Sequence, residues 1–95
     1  MGRSIVQSEM DSCFLCGSRR WLEVHHVFFG AYRPKAEKYG LTVCLCHSCH
    51  NEPPNGVHQN RERRIALQQY VQAVAMKKYG WSTEDFIREF GKNYL

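Results

Sequence analysis

The 95-residue sequence lacks any apolar run long enough to span a bilayer, which takes about 20 residues. Residues 1–12 have neither the long apolar segment nor the small-residue cleavage site of a signal peptide. Val6 stands where an N-myristoylation motif requires serine or threonine. Repeats and low-complexity segments are missing as well. The sequence therefore predicts a single, intracellular (cytoplasmic) domain over residues 1–95.

Composition excludes a disordered chain and only weakly indicates a partner. Hydrophobic residues make up 43% of the sequence and charged residues 23%, which is ordinary for a globular protein. Lys and Arg number 13 against nine acidic residues, which gives a net charge of +4. This excess is a mild preference for polyanionic partners, because surface charge also serves solubility.

Five cysteines are many for this length, and an odd number argues against a disulfide framework. Four of them form two C-x-x-C pairs, and Gly17 follows the first pair at the tight turn such a knuckle needs. Two such pairs predict a tetrahedral structural zinc site made by Cys13, Cys16, Cys46 and Cys49. The alternative is a set of buried reduced thiols. Cys44 fits that alternative, as a residue packed on one face of a strand.

The local patterns predict an α+β fold. Residues 21–27 and 41–45 are rich in strand-forming side chains, and residues 4–7 are a candidate edge strand. One helical turn is expected at residues 34–39. The segment "HNEPPNG" at residues 50–56 holds too much Pro, Asn and Gly for a helix.

Two helices are predicted after this segment. The first spans residues 57–79, ends at Gly80, and carries apolar residues broadly along one side: Leu67, Tyr70, Val71, Val74 and Met76. Ser82 and Asp85 resemble a capping box that opens a short last helix ending at Gly91. The inner face of that helix is predicted to hold Phe86, Ile87 and Phe90.

Three motifs stand in order along the chain: C-x-x-C at residues 13–16, "VHHV" at 24–27 and "LC-x-x-CH" at 45–50. In this order they resemble the HNH endonucleases of the His-Me finger group, in their zinc-stapled form. The resemblance covers residues 13–58 and implies a small ββα-metal core there. The helices of residues 57–95 lie outside the family motif.

The resemblance implies that the protein hydrolyses phosphodiester bonds of DNA. That reaction needs a base to activate water and a divalent cation, such as Mg²⁺ or Mn²⁺, to stabilise the phosphate. By resemblance His26 takes the place of the general base. His25 and His50 take the places of cation ligands, and His58 is a further candidate ligand.

The chain departs from the family pattern at two places. Leu41 stands where the family carries the middle Asn that braces the loop orienting the base. Asn51, Asn55 or a backbone carbonyl are candidate substitutes. His58 follows His50 by eight residues where the family spacing is four, so only a folded-back loop could bring it to the cation.

Each of these histidines also has a purely structural interpretation. His25 and His26 are compatible with ordinary strand positions, His50 with the zinc knuckle itself, and His58 with a solvent-facing helix start. His47, inside the second C-x-x-C pair, is expected to be exposed and without a role. The alternative function is accordingly a catalytically silent zinc module that binds nucleic acid or a protein partner.

Basic residues near the motifs are candidate phosphate contacts, or else a solvated surface. They are Arg33, Lys35, Lys38, Arg61, Arg63 and Arg64. A chain of this size resembles the small HNH proteins that bacteriophages and mobile elements encode. That implies DNA as the partner, together with phage packaging or recombination proteins, and no membrane. The sequence does not indicate an oligomeric state.

Overall fold

A computed structural model describes residues 4–95 and has a small α+β architecture built on a two-stranded sheet. A 3₁₀ turn (Gly30–Tyr32) and a short helix lie between the strands, and three helices follow the second strand. The elements are β1 (Leu22–His26), α1 (Arg33–Tyr39), β2 (Thr42–Cys46), α2 (His47–Asn51), α3 (Arg61–Tyr79) and α4 (Thr83–Phe90). Residues 1–3, part of the segment in which no signal peptide was predicted, lie outside the described part.

The sheet is an antiparallel hairpin whose register joins the cysteine and histidine motifs. Leu22 pairs with Cys46 at one end, and His26 pairs with Thr42 at the other. Every residue of β2 is buried. Because β2 runs directly into α2, the second C-x-x-C pair lies at the end of the sheet where β1 begins. The strands predicted at residues 21–27 and 41–45 are therefore present; the first is one residue shorter at each end, and the second is shifted by one residue.

The predicted edge strand at residues 4–7 is wrong. These residues lie beside β2, but their side chains form hydrogen bonds with the β2 backbone that the backbone of a third strand would otherwise form. The Ser4 hydroxyl donates to the Thr42 carbonyl at 2.5 Å, and the Gln7 amide oxygen accepts the Cys44 N–H at 2.8 Å. Side-chain hydrogen bonds thus satisfy backbone groups at the edge of β2 without a regular third strand.

Helix boundaries differ from prediction around the prolines. The long helix begins at residue 61 and not at 57, because the Asn60 side chain accepts the Arg63 N–H and acts as the N-cap. Residues 57–60 form turns. The segment predicted to be non-helical starts two residues late, since α2 continues through Asn51 before the proline-rich loop.

The core lies between the hairpin and helices α3 and α4. Phe28, which follows β1, packs against Phe86 and Phe90 with ring centroids 5.4 and 4.9 Å apart. The predicted capping box of Ser82 and Asp85 is present. Ile87 does not belong to the inner face, because its side chain is 37% exposed while Phe86 and Phe90 are buried.

Helix α3 contributes a narrower apolar face than predicted. Leu67, Val71 and Ala75 are buried, whereas Tyr70 is 53% exposed. The spacing of the buried residues is four, which follows one side of a helix. Among residues 4–95, no helix combines the length and apolar character required to cross a membrane.

Candidate functional site

Two clusters of metal-ligating side chains flank the hairpin, and the first is the set of four cysteines. The sulfur atoms of Cys13, Cys16, Cys46 and Cys49 all lie within 4.8 Å of one another. The Cys16 and Cys46 sulfurs are 3.6 Å apart. A zinc ion bound tetrahedrally at about 2.3 Å from each sulfur separates the sulfurs by about 3.8 Å. The cluster could therefore hold a metal such as zinc with little movement.

Local backbone geometry prepares the first cysteine pair for a cation. Gly17 turns the chain at φ +81°, and its N–H donates to the Cys13 carbonyl. Burial raises the pKa of the Cys13 thiol, but the N–H groups of Cys46, Cys16 and Leu15 outweigh it and lower that pKa to about 6. A thiolate is the form that binds zinc.

Another member of the cluster, Cys49, resists ionisation without a cation. Burial, together with the neighbouring thiols, raises the pKa of Cys49. Several thiolates cannot lie this close together unless a positive charge compensates them. Cys44 is buried in β2 and stands outside the cluster. The donor set thus fits a tetrathiolate-bound metal better than unconnected core thiols.

The second cluster consists of three imidazoles. The ligand nitrogens of His25, His50 and His58 lie within 4.8 Å of one another. The Nε2 atoms of His50 and His58 are 3.1 Å apart. Two imidazole nitrogens on one metal at about 2.0–2.1 Å lie about 3.0–3.4 Å apart, so this pair already has the spacing of metal ligands.

A folded-back loop brings His58 to this cluster despite its distance from His50 in sequence. The His58 N–H donates to the His50 carbonyl at 3.2 Å, and the Val57 N–H donates to the Cys49 carbonyl at 2.8 Å. Gly56 makes the fold-back possible, because a Cβ there would lie 2.5 Å from the Glu52 nitrogen. The loop therefore connects the imidazole cluster directly to the cysteine knuckle.

Two of the three imidazoles have lowered pKa values in the folded protein. Burial, followed by the charges of His50 and His58, lowers the pKa of His25 to about 3. Burial and the proximity of His50 also lower the pKa of His58. A neutral imidazole keeps a lone pair for a metal, so His25 and His58 are ready to act as ligands at neutral pH.

Glu23 orients one of these imidazoles, and sequence reasoning missed it. Its carboxylate accepts from the His50 Nδ1 at 2.6 Å and from the His47 Nδ1 at 3.1 Å. These contacts lower the pKa of Glu23. The Nε2 of His50 is left facing His58, as in the carboxylate–histidine pairs that support metal sites. The period-2 alternation of a strand could have revealed it, because Glu23 lies on the same face as His25.

His26 lies on the opposite face of β1 and contacts a different carboxylate. Its Nε2 is 3.3 Å from the Glu37 Oε1 on α1. A carboxylate in this position holds the imidazole in one orientation and leaves Nδ1 as the nitrogen able to accept a proton. Glu37 was also missed, and no local signal could have found it, since it lies eleven positions further along the chain, beyond a turn and on a helix.

A shallow cleft joins the two histidine faces. It has a volume of about 200 Å³, which is smaller than the roughly 300–1,000 Å³ of a pocket for a buried organic ligand. A phosphate group on an extended substrate fits such an opening. The cleft is lined by Val24, His25, His26, Phe29, Arg33, His50 and His58.

Of the six predicted phosphate-contacting residues, only Arg33 lines this cleft. Arg64 supports the site from behind, because its guanidinium donates to the carbonyls of Val57 and His58 at 3.2 and 3.3 Å. Lys35 pairs with Glu89 at 3.4 Å. Arg63 lines an apolar groove beside Phe14. Lys38 and Arg61 are exposed and do not line the cleft.

The loop after His26 is braced without an asparagine. Leu41 is fully buried, and its carbonyl accepts the Val27 N–H at 3.1 Å. On the other side, the Gln68 amide of α3 donates to the Val27 carbonyl at 3.4 Å. Asn51 instead accepts from the Gln59 side chain. A backbone carbonyl and a glutamine thus hold the segment for which an asparagine was expected.

Comparison of the chain with protein-family models, with curated proteins and with solved structures yields no match.

Proposed function

We propose that this protein is a metal-dependent endonuclease of the HNH type, and that β1, β2 and α2 form a ββα-metal core. The observation that carries the proposal is the convergence of His25, His50 and His58 beside His26 in one open cleft. A structural zinc knuckle alone needs none of these imidazoles. Their shared position favours a second metal site with a base next to it.

In the proposed reaction, His26 accepts a proton from the attacking water and Glu37 holds its imidazole in place. His25, His50 and His58 would hold a divalent cation, which when bound stabilises the charge that develops on the phosphate and the leaving oxygen. Glu23 keeps the His50 ring turned toward the other two imidazoles. Arg33, at the edge of the cleft, contacts the phosphate backbone.

The ligand set bears on which cation is used. Three imidazole ligands suit ions such as Zn²⁺ or Ni²⁺, whereas Mg²⁺ prefers oxygen ligands. Mn²⁺ also prefers oxygen and is an intermediate choice. We therefore propose that Mg²⁺ is the weakest activator among the divalent cations expected for this protein.

A second candidate is the catalytically silent zinc module, favoured by the fully buried Leu41 at the position of the family's asparagine. The two candidates differ in whether DNA is cut. Purified protein is incubated with supercoiled plasmid and Ni²⁺, Zn²⁺, Mn²⁺ or Mg²⁺, with and without a chelator. Cation-dependent nicking supports the endonuclease, and DNA binding without nicking under any cation supports the silent module. A parallel RNA substrate tests the choice of nucleic acid.

Replacing His50 by alanine is expected to weaken binding of the second cation by about tenfold or more, because one of its three ligands is lost. His47→Ala is the matched control. Both side chains lie on α2 and contact Glu23, but only His50 belongs to the imidazole cluster. Calorimetric titration with Ni²⁺ measures the affinities. Equal affinities in the two variants would show that the cation binds elsewhere.

Replacing Glu37 by glutamine is expected to lower kcat roughly 10- to 100-fold, since His26 loses the carboxylate that orients it. KM and cation affinity should stay unchanged, and Glu37→Asp should recover part of the rate. Glu89→Gln is the control, because that carboxylate contacts Lys35 and Tyr39 and not His26. A rise in KM with kcat unchanged would contradict a role in orienting the base.

A further inference from the structure

Trp21 is the most exposed large hydrophobic side chain in the described part of the protein, at 81%. Its backbone is also unusual, with a φ of +58° in the left-handed region. A bulky side chain rarely adopts this conformation, which costs free energy, and such outliers concentrate at binding and active sites. An exposed indole held in a strained conformation is a candidate binding group.

The conformation of Trp21 is fixed by its place between β1 and the cysteine knuckle. The Trp21 carbonyl accepts the His47 N–H at 2.8 Å, where α2 begins. The next residue, Leu22, pairs with Cys46 in the sheet. Both contacts involve the second C-x-x-C segment, so the backbone that carries the indole is held rigidly. Little conformational entropy is therefore lost when a ligand stacks on the ring.

The surroundings of the indole favour a nucleic acid strand, which combines aromatic bases with a negatively charged backbone. Arg20 and Trp21 line a second cleft, of about 440 Å³, together with Ser18 and Ser48. Arg19 next to them has a side chain that is 77% exposed, and it lies 3.9 Å from the exposed carboxylate of Asp11. Glu52 also lines this cleft, where its carboxylate lies 3.5 Å from the His47 ring. Arginine beside an exposed aromatic ring is the combination that binds single-stranded nucleic acid.

The position relative to the imidazole cluster matches a single substrate strand. Trp21 immediately precedes β1 and lies four residues before His25, a span of about 13 Å at about 3.3 Å per residue. A helical nucleic acid strand covers this distance in about four nucleotides at about 3.4 Å each, and an extended strand covers it in fewer nucleotides. We propose that Trp21 and Arg20 form a stacking site for an unpaired nucleobase of the substrate strand, near the cleaved phosphate. This inference rests on the proposed endonuclease function.

The test compares substitutions that the backbone tolerates. Asparagine accepts the left-handed conformation, so Trp21→Asn removes the ring while keeping the fold, whereas Trp21→Tyr keeps a stacking ring. Fluorescence anisotropy of a short labelled phosphorothioate oligothymidine, which resists cleavage, measures binding. Trp21→Asn is expected to weaken binding about 5- to 150-fold, and Trp21→Tyr much less. In Trp81→Phe, where Trp21 is the remaining tryptophan, the oligonucleotide should quench the fluorescence.

Wild-type affinity in Trp21→Asn, or no quenching in Trp81→Phe, overturns the stacking site. The oligomeric state is measured as well. If the wild-type protein is a dimer, and Trp21→Asn is a monomer that still binds the oligonucleotide, then Trp21 contacts a second copy of the chain and the stacking site is overturned. Plasmid cleavage by the wild-type protein is measured in parallel. If cleavage occurs and stacking does not, only this inference fails. If stacking occurs and no cation gives cleavage, the endonuclease proposal fails while the stacking site stands.

Discussion

Replacing Cys46 by serine is expected to leave the protein largely unfolded and unable to bind zinc at the four-cysteine site. Cys46 is 6% exposed, and its sulfur lies 3.6 Å from that of Cys16. Structural zinc sites of this kind contribute about 10–16 kcal/mol, which is comparable to the whole stability of about 5–15 kcal/mol of a small domain. Zinc content per chain and far-ultraviolet circular dichroism measure the loss.

Cys44→Ala is the matched control, because Cys44 is a buried cysteine of the same strand that lies outside the metal cluster. It should keep its zinc and fold, with a cost of about 1 kcal/mol for the small cavity. A chelator should unfold the wild-type protein and this control alike. If Cys46→Ser folds and binds as much zinc as Cys44→Ala, the four cysteines do not form a metal site.

The features that sequence predicted well depend on neighbouring residues. A C-x-x-C pair brings two sulfurs together through one turn, and the Ser82 capping box needs only residues three apart. Gly80 and Gly91 end their helices in the left-handed conformation for the same local reason. The α+β composition and both strands followed from such short patterns.

The features that sequence missed depend on residues brought together by the fold. Glu37 reaches His26 only because α1 packs beside the hairpin, and Gln68 reaches Val27 across 41 residues. Periodicity placed Ile87 inside, but the buried side of α4 is narrow enough to hold only Phe86 and Phe90. The proximity of His58 to His50 depends on Gly56, whose role is a close backbone approach that no local pattern shows.

Replacing His26 by alanine is expected to lower the cleavage rate by about 10²- to 10⁴-fold, the usual effect of removing a general base. His26 lies outside the imidazole cluster, so cation affinity should not change. Its side chain is 11% exposed, so circular dichroism is used to check that the variant is folded before the rates are compared. Single-turnover plasmid cleavage measures the rate, with His47→Ala as the control for loss of a histidine.

The double variant His26→Ala, Glu37→Gln decides whether the two side chains act as one unit. Glu37 is proposed to act only through the imidazole of His26, which lies 3.3 Å away. Once that imidazole is gone, the second substitution should therefore cost nothing more, and the two effects should be far from additive. A further loss of tenfold or more in the double variant would mean that Glu37 contacts the water or the substrate itself. Cleavage by His26→Ala at the wild-type rate would remove His26 as the base altogether.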